Sequence, residues 1–341
     1  MKMKSINILY QSSAAYAIPA AVSICSLLEN NKQLDEINIW FSDAGLTEED
    51  RNELGKLCGR YGRKITFLNG KSVDTMLENA GVRKWSESYA TFYKIFICCG
   101  MKEIDRILYI DSDTVILDSL EELCDYDMDG YACAMAGSGM TGTLKRFMGL
   151  TEYFNAGVIY FNLDYWRKNN VEQAFINAIN SDEGKKFTIV GDETLINAVL
   201  KGKIKKLPLK YNVESSWGRW GWNQKLYPQL NWTGENKPYY TDAEILEAMA
   251  HPVIGHYVDL TTGRPWDYLN DNPFRKEFEQ YSNILQPWKE IDFTMRGIGG
   301  DNKAIARGKL LAKKLMPKTV RSRIAFIQHD NYWKTRIEEF R

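Results

Sequence analysis

The sequence has no long apolar run and no paired cysteines. Within its 341 residues, no stretch reaches the ~20 consecutive apolar residues that a membrane-spanning helix needs. Its 6 cysteines include no Cys-x-x-Cys pair and no zinc-like spacing, which argues against a disulfide framework and a structural zinc site. We interpret them as buried reduced thiols and expect a cytoplasmic protein.

The sequence also lacks net charge, because 44 lysines and arginines balance 44 aspartates and glutamates. This balance removes any global argument for binding nucleic acid. It hides an asymmetry, since residues 301–341 carry 11 basic and 4 acidic side chains, while residues 1–300 carry 33 basic and 40 acidic ones. With 44% hydrophobic residues, the composition excludes disorder and indicates one large domain with an appendage, or two domains.

The amino terminus offers one rival to a cytoplasmic location. Lys2 and Lys4 precede an apolar stretch at residues 14–28, an order that a secretory leader also shows. A strand-like segment at residues 6–10 separates the lysines from that stretch. We therefore interpret the region as the first strand and helix of a globular fold.

Short apolar runs followed by turn residues alternate with segments of helical period. Strands are predicted at residues 6–10, 37–41, 65–68, 106–110, 131–136, 156–161 and 204–207, and helices at 18–30, 47–61, 88–99 and 192–200. A sequence that resembles a capping box begins at Thr47. This alternation predicts an α/β, Rossmann-like fold: a mostly parallel sheet flanked by helices, with ligands at the carboxyl ends of its strands.

The sharpest feature follows the strand predicted at residues 106–110. Asp111 and Asp113 stand there, separated by Ser112. Two carboxylates at this spacing on a strand end can turn toward one point, and hard oxygen ligands suit Mg²⁺ or Mn²⁺. A solvated acidic loop is the plainer explanation of an isolated Asp-x-Asp.

Two chemistries use an apolar strand followed by Asp-x-Asp. In phosphatases of the haloacid-dehalogenase type the first aspartate attacks a phosphoryl group, and Asp111, Asp113 and Val115 satisfy that motif. In enzymes that use nucleotide sugars, the pair holds a divalent metal that grips the diphosphate. The phosphatase motif belongs near an amino terminus and needs a downstream acidic pair, of which Gly191-Asp192 supplies only one member.

Three further motifs accompany the aspartates in order: Asn155-Ala156-Gly157-Val158, Gly191-Asp192-Glu193-Thr194, and Gly255-His256-Tyr257 followed by Arg264-Pro265-Trp266. With them, the sequence resembles glycosyltransferase family 8 over roughly residues 5–270. The resemblance implies a GT-A-type fold and a retaining hexosyltransferase that uses a nucleotide sugar. We expect this domain at residues 1–270, and a carboxyl-terminal extension with a basic amphipathic helix at 271–341.

The resemblance assigns Asp111, Asp113 and His256 to a metal site, with Mn²⁺ expected and Mg²⁺ as the alternative. Imidazole together with carboxylates suits Mn²⁺ better than Ca²⁺. The chain has only 3 histidines, and a packed or surface role is the ordinary interpretation of any one of them. The Gly-His-Tyr setting of His256 favours the metal role.

The same resemblance places six residues at the donor: Gln11, Tyr16, Lys94, Ser112, Asn155 and Arg264. Tyr16 is a candidate ring for stacking on the base, and Asn155 is a candidate sugar contact or a turn asparagine bonded to backbone. Lys94 stands where the family usually carries arginine, and a point charge there lacks the bidentate fork. The position that recognises the base also differs from the family, because this chain has Ser13 where family members usually have an acidic residue.

Asp192 and Glu193 are the expected catalytic pair. The family commonly shows Asp-Gln-Asp where this chain has Asp192-Glu193-Thr194. Retention of configuration needs a double displacement or a same-face substitution through a short-lived ion pair, and a carboxylate near the anomeric carbon assists both. Acidic residues that open a helix also complement its dipole, and the two roles are compatible.

Two further segments have alternative interpretations. The four tryptophans from Trp217 to Trp232 fit stacking on acceptor sugars or a local hydrophobic cluster equally well. Residues 303–323 carry eight basic and no acidic side chains, which is typical of a basic amphipathic helix on an anionic membrane face, although Pro317 interrupts it. A solvated helix packed on the core is nearly as good an interpretation, and nucleic-acid attraction is disfavoured by the acidic body.

Together, the resemblance and the basic tail imply transfer of glucose or galactose from a UDP-sugar to a glycan or lipid-linked acceptor. We expect dependence on Mn²⁺ and a role in cell-surface glycan synthesis such as that of lipopolysaccharide. We also expect a cytoplasmic location with peripheral contact to the inner membrane face, and no nucleic-acid partner. A catalytically weak relative that binds sugar nucleotides is the alternative, and the phosphatase is a lesser one.

Overall fold

The structure, a computed structural model, describes residues 3–85, 87–138, 142–215, 237–258, 263–267 and 272–289, together with 308, 311, 312 and 315–340. The tryptophan-rich loop at residues 217–232 lies outside the described residues, and so do residues 303–307, 309, 310, 313 and 314 of the basic segment at 303–323. Their interpretations from the sequence therefore stay predictions.

A mostly parallel sheet of seven strands forms the centre of the fold. The described strands are β1 (Ser5–Ser12), β2 (Glu36–Asp43), β3 (Ile65–Asn69), β4 (Arg106–Ile110), β5 (Thr114–Ile116), β6 (Cys133–Gly137), β7 (Phe154–Asn162), β8 (Ile204–Lys206), β9 (Val213–Glu214) and β10 (Ile254–His256). The large sheet has the order β3-β2-β1-β4-β7-β6-β8, and within it only β7 runs antiparallel to its neighbours. The predicted sheet is confirmed.

Helices flank this sheet. The described helices are α1 (Ala17–Asn30), α2 (Glu48–Arg60), α3 (Asp74–Asn79), α4 (Ala90–Gly100), α5 (Glu121–Cys124), α6 (Gly142–Met148), α7 (Leu163–Lys168), α8 (Val171–Asn180), α9 (Asp182–Lys185), α10 (Gly191–Val199), α11 (Asp242–Ala250), α12 (Arg275–Leu285) and α13 (Lys318–Phe340). All four predicted helices form, with limits within two residues of those expected. The sequence analysis did not predict α8, α11 and α12, nor the short helices α3, α5, α6, α7 and α9.

The start of α2 shows how local chemistry sets an element boundary. The hydroxyl of Thr47 accepts a hydrogen bond from the backbone N–H of Asp50, and the carboxylate of Asp50 accepts one from the backbone N–H of Thr47 at 3.0 Å. This reciprocal pair is the predicted capping box, with aspartate in the position where glutamate is more usual. An N-cap of this kind contributes about 1 kcal/mol.

The central strand β4 is buried on both faces. Leu108 and Ile110 belong to the apolar cluster that contains α1, whereas Ile107 and Tyr109 belong to the cluster that contains α4. Successive strand residues point to opposite faces, so a strand covered on both sides reads as a continuous apolar run. The first polar residue after this run, Asp111, consequently lies at the carboxyl edge of the sheet.

A second sheet of three strands, in the order β5-β10-β9, brings distant parts of the chain to this edge. His256 pairs with Thr114 across the antiparallel β5-β10 ladder and with Glu214 across the parallel β10-β9 ladder. The sequence analysis did not predict this sheet. Its backbone pairing carries His256 to the position beside Asp113.

Helix α13 packs against α6. Trp333 and Ile337 are buried in a third apolar cluster together with Leu144, Met148 and Tyr153. Part of the carboxyl-terminal extension is therefore built onto the same body as the sheet.

Two features expected from composition can be examined in the described residues. All six cysteines are free thiols, and four of them are buried. None of the described helices combines the length and the apolar content that crossing a bilayer would require.

Candidate functional site

Asp111, Asp113 and His256 meet at the carboxyl end of β4. Each contributes one possible ligand atom, and these atoms lie within 4.8 Å of one another. The Nε2 of His256 is 3.4 Å from Oδ1 of Asp113 and 3.8 Å from Oδ2 of Asp111. The aspartates follow β4 directly and the histidine ends β10, so pairing of β5 with β10 closes the group. The structure thus brings the three predicted ligands together.

Gly157 makes room for the imidazole. A Cβ at this position would lie 2.0 Å from Cε1 of His256, far inside any possible contact. The carbonyl of Gly157 also accepts a hydrogen bond from the backbone N–H of Asp111 at 2.7 Å. The glycine of the Asn155-Ala156-Gly157 motif therefore shapes the site without contributing a side chain.

The imidazole of His256 is oriented from behind by Asn212. Its Nδ1 is 2.9 Å from Oδ1 of Asn212, and Nδ2 of Asn212 donates to Oδ1 of Asn155 at 2.8 Å. The Nε2 of His256 is buried and has no hydrogen-bond partner among the described residues. This arrangement leaves Nε2 facing the two aspartates.

Charged neighbours keep Asp113 ionised. The guanidinium of Arg264 contacts the carboxylate of Asp113. Burial opposes ionisation, but Arg264 and His256 together hold the pKa of Asp113 well below its usual range. Burial also opposes a charge on His256, yet the neighbouring carboxylates of Asp113 and Asp111 raise the pKa of His256 on balance. The group therefore concentrates negative charge around one point.

Such a group fits a divalent metal. Two carboxylates and an imidazole make a donor set that Mn²⁺ accepts, and a buried imidazole nitrogen without a partner is the atom that a metal would satisfy. The Nδ1 contact to Asn212 is the outer hydrogen bond that a metal-binding histidine ordinarily makes.

Lys94 lies beneath the aspartates and is only 3% exposed. Its Nζ is 2.9 Å from Oδ2 of Asp192 and 3.4 Å from Oδ1 of Asp111, and it donates to the carbonyl of Ala156 at 3.1 Å. Burial works against the charge, but the two aspartates raise the pKa of Lys94 on balance. Lys94 thus bridges two carboxylates, and its expected contact with the donor stays a prediction.

Asp192 and Glu193 open helix α10 with Asp192 buried and Glu193 partly exposed. Burial raises the pKa of Asp192 to about 6 although Lys94 opposes the shift. Burial raises the pKa of Glu193 to about 8, although the hydrogen bond from the backbone N–H of Ala156 favours the ionised carboxylate and lowers the pKa. The site therefore holds two carboxyl groups whose protons are retained at higher pH than usual.

A line of hydrogen bonds connects Glu193 with the metal group. Oε2 of Glu193 accepts from Nδ2 of Asn155 at 3.1 Å and from the N–H of Ala156 at 3.0 Å. Oδ1 of Asn155 accepts from Asn212 at 2.8 Å and from the N–H of Gly157 at 2.9 Å. Asn155 therefore bonds to local backbone, as a turn asparagine does, and its expected contact with the donor sugar stays a prediction.

The remaining predicted donor residues lie where β1 ends. Oγ of Ser112 donates to the carbonyl of Gln11 at 2.6 Å. Nε2 of Gln11 donates to the carbonyl of Ala90 at 2.5 Å, while its buried Oε1 has no partner among the described residues. The ring of Tyr16 meets Trp266 edge to face, with centroids 5.8 Å apart.

Three side chains of the site were missed from the sequence. The hydroxyl of Tyr109 donates to Asp111, that of Tyr153 lies beside Glu193, and Asn212 contacts His256. Tyr109 carried a signal, because strand alternation places residues two apart on one face. Tyr153 and Asn212 carried none, since only the folded chain brings them to the site.

The sequence profile described as "Glycosyl transferase family 8" matches residues 7–270. General stress protein A of Bacillus subtilis is 27% identical over 78% of this chain and 88% of its own length. Lipopolysaccharide 1,2-glucosyltransferase of Escherichia coli is 24% identical over 85% of this chain and 81% of its own length.

Among solved structures, the galactosyltransferase LgtC in complex with donor and acceptor sugar analogues has a TM-score of 0.63 at 20% identity. The similarity covers 84% of this chain and 98% of that one. It shows that the two chains share the GT-A-type fold expected from the sequence. These similarities favour the nucleotide-sugar interpretation of Asp111 and Asp113 over the phosphatase.

Proposed function

We propose, because the chain belongs to glycosyltransferase family 8, that it transfers glucose or galactose from a UDP-sugar to a glycan or lipid-linked acceptor. It is a hexosyltransferase of that family. The observation that carries the proposal is the convergence of Asp111, Asp113 and His256 at the carboxyl edge of the sheet, joined to Glu193 by hydrogen bonds. Ligands of open α/β sheets bind at this edge.

Asp111, Asp113 and His256 would hold Mn²⁺, or Mg²⁺ in its place. When bound, the ion supplies positive charge to the donor diphosphate and favours departure of the nucleoside diphosphate. The chain itself supplies three ligand atoms that lie within 4.8 Å of one another. Arg264, which contacts Asp113, is placed to bring a second positive charge to the diphosphate.

The end of β1 is the proposed site of the nucleoside. Tyr16 offers a ring for the base, and the unpartnered Oε1 of Gln11 offers an acceptor. Ser112 holds the backbone of Gln11 beside the aspartates, and Asn155, the proposed sugar contact, bonds to Glu193. These assignments extend the donor-binding prediction from the sequence, with Lys94 placed under the carboxylates.

Glu193 is the proposed catalytic carboxyl near the anomeric carbon. Asn155 and the N–H of Ala156 hold its Oε2, which fixes the direction of the carboxyl group. As an anion it stabilises the positive charge that develops on the sugar ring, or it attacks the anomeric carbon in a double displacement. Asp192, held by Lys94, supports this arrangement. The departing phosphate oxygen takes the proton of the acceptor hydroxyl, so the proposal needs no separate general base.

Release of UDP from UDP-glucose and UDP-galactose tests the proposal. Wild-type protein with Mn²⁺ is expected to release UDP, and chelation of the metal or Asp113→Ala is expected to remove most of that release. Equal rates in all three samples would show that the metal assignment is wrong. Inorganic phosphate released from an aryl phosphate would instead support the phosphatase, and UDP-sugar binding without turnover would support the catalytically weak relative.

We further propose that the acceptor lies at an anionic membrane surface and that helix α13 contacts this surface. Val320, Ile324 and Ile327 on α13 are 44%, 41% and 52% exposed and share one helix face by their spacing. Trp333 and Ile337, on the opposite side, are buried against the body. An apolar stripe within a basic stretch is typical of a helix that lies on anionic lipid.

Flotation with lipid vesicles tests this extension. Binding to vesicles that contain phosphatidylglycerol is expected to weaken with salt and to fall in the double variant Ile324→Ser, Ile327→Ser. Leu246→Ser, which changes a 53% exposed side chain on α11, is the matched control and is expected to bind as wild type. Equal binding to uncharged phosphatidylcholine, or no binding at all, would contradict the extension.

A further inference from the structure

Asn212 lies between the two halves of the candidate site. It is 1% exposed, its Nδ2 is 2.8 Å from Oδ1 of Asn155, and its Oδ1 is 2.9 Å from Nδ1 of His256. Its own backbone is anchored, because its N–H donates to the carbonyl of Leu209 at 2.9 Å and strand β9 begins at the next residue. The side chain therefore has a fixed base from which to hold both neighbours.

Chemistry fixes the direction of each hydrogen bond along this line. The N–H of Gly157 can only donate, so the atom of Asn155 that it contacts at 2.9 Å is the carbonyl oxygen. The same oxygen faces Asn212, which must therefore present its NH₂ group to Asn155. The oxygen of Asn212 then faces His256, and the imidazole must donate to it from Nδ1.

The direction of these hydrogen bonds determines which nitrogen of His256 is free to bind a metal. An imidazole that is neutral and protonated at Nδ1 carries its lone pair on Nε2, the atom that faces Asp111 and Asp113. The other tautomer would place two lone pairs, on Nδ1 and on the oxygen of Asn212, against each other. The N–H of Gly157 therefore determines, through the side chains of Asn155 and Asn212, which nitrogen of His256 carries the proton.

We propose that Asn212 is a positioning residue, which holds His256 in the Nδ1–H tautomer for metal binding and ties that imidazole to Asn155 and Glu193. The proposal rests on the function proposed above, because it assumes a metal at Asp111, Asp113 and His256. Outer partners of metal-binding histidines typically change metal affinity by about 10–100-fold when removed.

Two substitutions at position 212 separate the contacts. Asn212→Asp keeps an acceptor toward His256 and removes the donor toward Asn155, whereas Asn212→Leu removes both in a similar volume. Asn31→Leu is the matched control, because Asn31 is fully buried and makes two comparable backbone hydrogen bonds, to Leu27 and Leu120, away from the site. Thermal unfolding compares how much each variant loses in stability alone.

Calorimetric titration with Mn²⁺ alone gives the first readout. We expect Asn212→Leu to bind Mn²⁺ about 10–100-fold more weakly than wild type, and Asn212→Asp and Asn31→Leu to stay close to wild type. Equal affinity of wild type and Asn212→Leu would overturn the proposal. Wild-type protein that binds no Mn²⁺ would instead contradict the proposed function. Should Asn212→Leu not fold, Asn212→Ser removes the amide oxygen that His256 contacts and is titrated in its place.

Imidazole ¹⁵N spectra give a readout that packing alone would not move. The chain has only 3 histidines, and the spectra are recorded on metal-free protein at a pH where the imidazoles are neutral, because a metal on Nε2 would fix the proton on Nδ1 in every variant. In wild type and Asn212→Asp, His256 is expected to keep its proton on Nδ1. Loss of that single state in Asn212→Leu supports the proposal, and an unchanged spectrum would overturn it.

Discussion

Lys94 and Asp192 form a buried ion pair, with Nζ and Oδ2 2.9 Å apart and with side chains 4% and 7% exposed. Asp111 lies on the other side of the same ammonium at 3.4 Å. Burial removes water from both charges of an ion pair, and each charge is stabilised only by its partner. Removal of one partner therefore leaves an uncompensated buried charge. This relationship ties the acidic start of α10 to the acidic end of β4, and it makes Lys94 part of the framework of the site.

Replacement of Lys94 by methionine is expected to destabilise the protein. It leaves Asp111 and Asp192 near each other without their shared cation, and breaking a buried pair in this way costs about 3–5 kcal/mol. Urea unfolding at neutral pH measures the loss. Lys168→Met is the control, since its partner Asp164 and Lys168 itself are largely exposed, and no measurable loss is expected there. Similar stability of the two variants would contradict the bridging role.

Glu193 is expected to give stability a characteristic pH dependence. Burial raises the pKa of Glu193 to about 8 from its ordinary value of 4.5. A group whose pKa rises on folding contributes stability that is full below the unfolded pKa and is lost as pH rises through the folded one. Wild type should therefore lose stability between about pH 5 and about pH 8, and Glu193→Gln, which cannot ionise, should lose less.

Urea unfolding at the two ends of this range measures the difference between Glu193→Gln and wild type, which we expect to reach at least about 1 kcal/mol. Asp192, whose pKa burial raises to about 6, contributes in the same direction but is common to both proteins. Glu279→Gln, on the outer side of α12, should follow the wild-type curve. Parallel curves for wild type and Glu193→Gln would show that Glu193 does not retain its proton.

Gly157→Ala is expected to displace His256. The new Cβ would lie 2.0 Å from the imidazole, so either the ring or β7 must move. We expect a loss of Mn²⁺ binding by calorimetry together with lower thermal stability. Gly55→Ala in α2 is the control: a Cβ there meets nothing within 4 Å, and alanine in a helix is about 0.5–1 kcal/mol more favourable than glycine. A Gly157→Ala protein that binds Mn²⁺ as wild type does would refute the close packing.

The sequence predicts the parts of this fold that depend on local pattern. The run at residues 106–110 is apolar at every position except Arg106, ends at an aspartate, and coincides with β4. Thr47 caps α2 because the atoms that make the box lie within four consecutive residues. Both signals arise from neighbours in the chain, so one sequence suffices to find them.

The sequence does not predict contacts that depend on long-range pairing. His256 reaches Asp113 through the β5-β10 ladder, and before folding only its resemblance to a family motif singles it out. Asn212 follows a short 3₁₀ turn and looks like an ordinary turn residue. Its importance depends on β9 lying beside β10 and on Asn155 lying opposite, and neither relation leaves a local trace.

Anomalous diffraction at the manganese edge, from crystals grown with Mn²⁺ and UDP, tests the central claim most directly. The account predicts one manganese ion bonded to carboxylate oxygens of Asp111 and Asp113 and to Nε2 of His256, with the diphosphate of UDP on its open side. Manganese bound at other residues, or UDP bound at this edge without a metal against the two aspartates, would contradict it.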